Sequence, residues 1–175
     1  MSAWPHNRSR DGGIDRLLIP AGLGASGAMF MCGKHAIGPD VEAALARVGA
    51  TTAVCLTEAH ELTGRYDAYV EWLSANVPRR AVWSPIGDLH APSLDIMVAL
   101  VDELVARLGS GERILIHCAA GMGRTGTTAA CVLIELGVEH DEALRIVAAS
   151  RPMAGPEVGA QRDLVRDFAE CFSGR

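Results

Sequence analysis

Short apolar runs alternate with amphipathic stretches along most of the chain, and this alternation predicts an α/β fold. Runs at 17–19, 29–32, 52–56, 81–83 and 113–116 read as strands. A glycine-rich turn at 22–27 separates the first two. Pro39 opens a helix over 41–48, and a second helix over 66–75 lines up Tyr69, Val70 and Leu73 and ends before Pro78. Ser93 caps a long helix over 94–108, whose apolar positions recur at three and four and which Gly109 and Gly111 close. Further helices are expected at 125–136, 140–150 and 157–172, with Pro152 and Gly155 punctuating the last connection. The expected architecture is a central mixed, mostly parallel sheet of about four to five strands flanked by helices. Residues 1–13, rich in Pro, Asn, Ser, Arg and Gly, read as a flexible tail, and 14–175 as a single domain.

Composition narrows the function classes. Hydrophobic residues make up 49% and charged residues 21%, ordinary soluble usage, and the net charge is -5. This acidic balance argues against nucleic acid or an anionic membrane as partner, so any phosphate site must be a local arrangement. Lys34 is the only lysine; the arginine, alanine and glycine skew is that of a high-GC bacterial genome. The five cysteines, Cys32, Cys55, Cys118, Cys131 and Cys171, contain no CxxC pair, which disfavours a zinc site or a disulfide framework and fits a reduced, cytoplasmic setting. The N-terminal stretch lacks the apolar core of a signal peptide, and charge interrupts every apolar run before membrane-spanning length.

The chemistry concentrates in one segment. The strand at 113–116 runs directly into His117-Cys118-Ala119-Ala120-Gly121-Met122-Gly123-Arg124-Thr125 and then into a helix. A strand–loop–helix turn of this kind points backbone N–H groups, reinforced by the helix dipole, at one tetrahedral anion. Cys118 sits at the floor of the cradle, where the same groups stabilise a thiolate. Arg124, six residues on, offers a planar fork for two phosphoryl oxygens. Thr125 follows and is placed to donate its hydroxyl to the Cys118 sulfur. The nucleotide-binding P-loop alternative fails, because no Gly-Lys-Ser/Thr follows the glycines.

The string HCAAGMGRTG resembles the His-Cys-x5-Arg-Thr/Ser signature of the protein tyrosine phosphatase superfamily, and most of all its small atypical dual-specificity branch. Leu56-Thr57-Glu58, the segment Trp83-Ser84-Pro85-Ile86-Gly87-Asp88, Ser150-Arg151-Pro152 and Gln161 resemble further stretches of that branch in the same order. The resemblance implies a phosphatase-like fold around a Cys-x5-Arg loop and hydrolysis in two displacements through a phosphocysteine. It implies Cys118 as nucleophile, Ala119, Ala120, Gly121, Met122, Gly123 and Arg124 as the phosphate-binding loop, and Asp88 as general acid. Asp95, in the first turn of a helix, is the competing acid. By the same resemblance Gln161 positions the attacking water, and no metal or other cofactor is required.

Supporting residues carry two readings each. His117 orients the thiolate or is a satisfied core histidine. His90 assists Asp88 or lines the pocket; Glu58 supports the arginine side of the pocket or caps the helix that follows. Cys32, Cys131 and Cys171 read as small core residues. Cys55 reads as packing, with a redox disulfide to Cys118 as the alternative. Trp72 and Trp83 read as core or pocket wall. The expected substrate is a phosphorylated protein, with tyrosine and serine/threonine dual specificity, or a small phosphomonoester, hydrolysed by a monomer. A phosphoinositide phosphatase, a silent phosphate-binding module and a rhodanese-like sulfur transferase are the other classes. The uncharged Ala119, Ala120 and Met122 weigh against polyanionic substrates.

Overall fold

The computed structural model describes residues 13–172 and contains a five-stranded sheet in the order β1-β2-β5-β3-β4. The strands are β1 (Asp15–Arg16), β2 (Ala28–Gly33), β3 (Thr52–Cys55), β4 (Ala81–Trp83) and β5 (Arg113–Cys118). Only β1 runs antiparallel to its neighbour; β2, β5, β3 and β4 are parallel, as the mixed, mostly parallel expectation required. The helices are α1 (Lys34–Ile37), α2 (Val41–Val48), α3 (Asp67–Asn76), α4 (Leu94–Gly109), α5 (Gly123–Glu135), α6 (His140–Ser150) and α7 (Gly159–Phe172).

Parallel strands need crossovers, and the crossover helices cover both faces of the sheet. One core joins Met29, Met31, Val54, Ile114 and Ile116 to α4, α5, α6 and α7. The other joins Phe30, Cys32, Ala53, Cys55 and Leu115 to α2 and α3. Successive residues of a strand alternate between these two cores, so the unbroken apolar run of β5 reflects burial on both sides. Helix α5 is buried along nearly all its length, which its small residues Ala129, Ala130 and Cys131 permit.

The caps follow the sequence. The Asp40 side chain accepts from Ala43 N–H to start α2, and Ser93 Oγ accepts from Ile96 N–H to start α4. Gly49, with φ 62°, closes α2 in the left-handed conformation.

Four expectations change. The first strand is Asp15–Arg16 rather than 17–19: Leu17 is buried and its N–H still reaches Met29 O, but Leu18 turns to solvent. Helix α5 begins at Gly123, two residues early, which takes Arg124 and Thr125 into its first turn. Cys171 is exposed in the last turn of α7, one residue before the helix ends and beyond its last buried residue, Phe168. Helix α1 and a 3-10 turn at Ala59–Glu61 were not expected, being too short and polar to show a period. The expected tail at 1–13 lies outside the described residues except for Gly13, whose carbonyl accepts from Arg151. No helix among the described residues is long and apolar enough to cross a membrane.

Candidate active site

The carboxyl ends of the parallel strands meet at one edge of the sheet, the usual place for a ligand in such folds. Cys118 ends β5, residues 119–122 form the loop, and α5 starts at Gly123. Gly121 adopts φ 72°, and a Cβ there would collide with the Cys32 carbonyl. A Cβ on Gly126 would collide with the Gly155 backbone. These two glycines let the loop fold over β2 and let the 151–155 connection pack against α5.

The loop carbonyls are held outward, one by one. His117 Nδ1 donates to Cys118 O (3.2 Å), and the Lys34 N–H to Ala119 O (3.0 Å). Arg151 donates from Nη2 to Ala120 O (2.9 Å) and from Nε to Gly121 O (2.8 Å). The N–H groups of Gly126 and Gly155 both reach Met122 O. In a planar trans peptide the N–H points opposite to the C=O. The N–H groups of Ala119, Ala120, Gly121, Met122 and Gly123 are thereby directed into the loop, and together they make an anion nest at a helix N-terminus.

Arg124 lies at the far end of this nest with its side chain almost wholly buried. Its guanidinium forms a two-point pair with Glu61, Nη1 to Oε1 at 2.6 Å and Nη2 to Oε2 at 2.9 Å. Nη1 also donates to Ile86 O (2.7 Å), and Nη2 to Asp88 Oδ1 (3.1 Å). Burial opposes both charges, yet the hydrogen bonds between them hold the Glu61 carboxyl below its ordinary range and Arg124 above its own. The clamp is therefore charged and fixed in orientation. Asp88, on an exposed loop after β4, touches it from the solvent side.

His117 is fully buried beneath the loop. Tyr69 Oη lies 2.8 Å from its Nε2. Since Nδ1 must donate to Cys118 O, the neutral ring accepts from the Tyr69 hydroxyl, which fixes the tautomer. Burial pushes the His117 pKa down to about 4 from 6.5. The unfolded chain therefore binds a proton that the folded chain refuses between these values. About 3 kcal/mol of stability, present above pH 6.5, is expected to be lost as the pH falls toward 4. Urea unfolding at pH 7 and pH 4.5 measures this, and His117→Gln should flatten the difference.

Cys32 and Cys55 flank His117 across the ladder and share its face of the sheet. Burial pushes their thiols up to about 12 and about 11, so both remain protonated packing groups. Cys118, one residue on from His117, packs into the opposite core. The Cys55–Cys118 disulfide alternative is thus not available in this arrangement, because strand alternation separates the two side chains.

The other candidate residues fall partly where expected and partly elsewhere. The buried Thr125 hydroxyl has no hydrogen-bond partner among the described residues, so the expected bond to Cys118 Sγ is not made; the early start of α5 turns Thr125 with the helix rather than the loop. Glu58 caps the 3-10 turn reciprocally with Glu61, and it is Glu61 that pairs with Arg124. His90 Nδ1 folds back on Asp88 O (2.7 Å) and shapes the loop that carries Asp88. Gln161 is buried; its Nε2 donates to His90 O (3.1 Å) and its Oε1 accepts from Glu157 N–H, which braces that loop instead of offering an open amide. Asp95 lies in the first turn of α4, and Arg124 bonds to Asp88 instead. Among the described residues no cluster of three or more His, Cys, Asp or Glu is gathered as a metal site.

Sequence reasoning missed Glu61, Arg151 and Lys34. Glu61 was visible only as the far end of a Glu-x-x-Glu capping pattern. Arg151 stood within the quoted Ser150-Arg151-Pro152 without an assigned role, and Lys34 as the single lysine.

Comparison with known proteins decides the family. Residues 27–169 match the model of the Swiss Army Knife protein, DSP-PTPase phosphatase domain. The chain belongs to this family of cysteine-based phosphatases. The phosphatase is 29% identical over 93 residues to the Arabidopsis thaliana phosphatidylinositol 3,4,5-trisphosphate 3-phosphatase and protein-tyrosine-phosphatase PTEN1. That stretch is 51% of this chain but 23% of the relative, so the phosphatase spans under a quarter of that protein's length. The crystal structure of Tk-PTP in its active form superposes with a TM-score of 0.66 at 27% identity, covering 89% of this chain and 96% of that one. Kinase associated phosphatase, with serine replacing its catalytic-site cysteine, superposes at 0.76 with 20% identity over 94% and 98% of the two chains, which shows the same fold.

Proposed function

We propose that the phosphatase hydrolyses phosphomonoesters on proteins, with phosphotyrosine and phosphoserine/threonine both accepted, through a phosphocysteine at Cys118. One observation carries this reading: Asp88 Oδ1 stands 3.1 Å from Arg124 Nη2, so an acid from another loop meets the clamp at the mouth of the nest. A phosphoryl oxygen entering the nest takes the place of Asp88 on Nη2 and leaves the carboxyl beside the ester oxygen. Cys118 attacks phosphorus, the P–O bond to the leaving group breaks, and protonated Asp88 gives its proton to the departing oxygen. Water then attacks the phosphocysteine, Asp88 takes its proton, and the thiolate leaves. The nest N–H groups and Arg124 hold the phosphoryl charge throughout.

Phosphoinositides are the second reading, supported by the name of the PTEN1 relative. Against it stand the uncharged loop positions Ala119, Ala120 and Met122 and the carboxylates of Glu61 and Asp88 at the clamp. Lys34, the single lysine, is committed through Nζ to Glu61 O (2.8 Å). A site of this charge holds one phosphoryl group better than several.

The test is release of inorganic phosphate from phosphotyrosine and phosphoserine peptides and from mono-, bis- and trisphosphorylated phosphoinositides, without added metal. Turnover of both peptides above all the lipids is expected. A kcat/KM that rises with each added inositol phosphate would reverse the assignment.

A further inference from the structure

Arg151 caps the C-terminus of α6 and is completely buried, 0% exposed. A buried guanidinium requires compensating acceptors. Two are the loop carbonyls Ala120 O and Gly121 O. Two more come from the start of the described chain: Nη1 donates to Gly13 O (2.9 Å) and to Asp15 Oδ2 (2.7 Å). One planar fork therefore spans from strand β1, at the edge of the sheet, to the middle of the anion nest. The two peptides it holds, Ala120–Gly121 and Gly121–Met122, contribute the N–H groups of Gly121 and Met122 to that nest. Gly121 has the positive φ of the loop, and glycine has no Cβ to resist a peptide flip. Nothing intrinsic to the residue fixes its orientation, so the external donors must.

We propose that Asp15 and Arg151 form a positioning pair that keeps these two peptides in the anion-binding orientation, which makes strand β1 a working part of the active site. The inference rests on reading the loop as the phosphate site. Asp15 supplies the counter-charge that keeps Arg151 under the loop. Without it the guanidinium turns toward other acceptors, the two carbonyls lose their donors, and two N–H groups leave the nest. Neither residue touches the substrate; both act through the loop.

The experiment measures kcat and KM for p-nitrophenyl phosphate, and inhibition by vanadate and by inorganic phosphate. It compares wild type, Asp15→Ala, Asp15→Asn, Arg151→Lys and the double variant Asp15→Ala/Arg151→Lys, each at a temperature where circular dichroism shows it folded. A lysine cannot bridge two loop carbonyls and the β1 acceptors together. Asp15→Ala and Arg151→Lys should each weaken both anions and lower kcat/KM by about 10- to 100-fold. Asp15→Asn, which keeps an acceptor but no charge, should show a smaller loss of the same kind. The double variant should be no worse than Arg151→Lys, because both substitutions break one unit. A merely structural pair would lower the unfolding temperature and leave the anion affinities of the folded protein unchanged. That result, in Asp15→Asn if Asp15→Ala does not fold, overturns the proposal. A wild-type protein that neither binds vanadate nor turns over any phosphate ester would instead overturn the phosphatase reading on which the pair depends.

Discussion

Cys118→Ser is expected to lower kcat by at least about ten-thousand-fold while leaving substrate binding in place. The nest is built from backbone N–H groups whose carbonyls are held by His117, Lys34, Arg151, Gly126 and Gly155, and none of these bonds involves the Cys118 side chain. Exchange of sulfur for oxygen leaves that scaffold intact. The serine hydroxyl is a poor nucleophile without a base beside it, and the nearest candidate is unsuited. His117, neutral and buried, has Nδ1 committed to Cys118 O and Nε2 to the Tyr69 hydroxyl. The variant should therefore bind a phosphopeptide without turning it over. Calorimetry with the peptide, alongside single-turnover phosphate release, measures both halves of this statement. Unimpaired turnover would remove the phosphocysteine route altogether.

Asp88→Asn carries the second largest effect and a more selective one. A general acid is worth about 10²- to 10⁴-fold. Its value depends on how badly the departing oxygen needs a proton. Alkyl esters such as phosphoserine leave as strongly basic alkoxides, whereas p-nitrophenolate departs readily. The loss should therefore approach the upper figure for phosphoserine peptides and be much smaller for p-nitrophenyl phosphate. Stability should hardly change, since the Asp88 side chain is 66% exposed and asparagine retains an oxygen for Arg124 Nη2. The rate ratio between the two substrates, wild type against variant, is the measurement. If Asp95→Asn produces the leaving-group dependence and Asp88→Asn does not, the acid belongs to α4.

Much of the site could be read from consecutive residues, and the reason is physical. The cradle is a strand, a loop and a helix start within one segment, and its anion preference comes from local backbone geometry. Cys118 and Arg124 are separated by only five residues, so no tertiary contact is needed to predict that they face one ligand. The apolar runs likewise suffice for a mostly parallel sheet with helices on both sides. Beyond the segment, resemblance carried Asp88, and the structure sets it 3.1 Å from the clamp.

Elsewhere the choice was among chemically similar groups. Glu58 and Glu61 sit three residues apart, and a single 3-10 turn decides that Glu61 faces Arg124. Cys55 lies next to β5 in the sheet, yet strand alternation gives it His117 rather than Cys118 as its companion. Gln161 is where resemblance located it, but the packing of α7 turns its amide to the backbone of His90 and Glu157. In the sequence Arg151 stands only within Ser150-Arg151-Pro152, with no role assigned to it. Burial converts it into the donor for two loop carbonyls, with Asp15 as counter-charge across 136 positions of chain. The proposed nest, nucleophile and clamp are made by neighbours in the chain, so consecutive residues were enough to bring them into view. What orients them depends on the folded arrangement, because a buried charge takes whichever partner the packing of distant elements brings within hydrogen-bond reach.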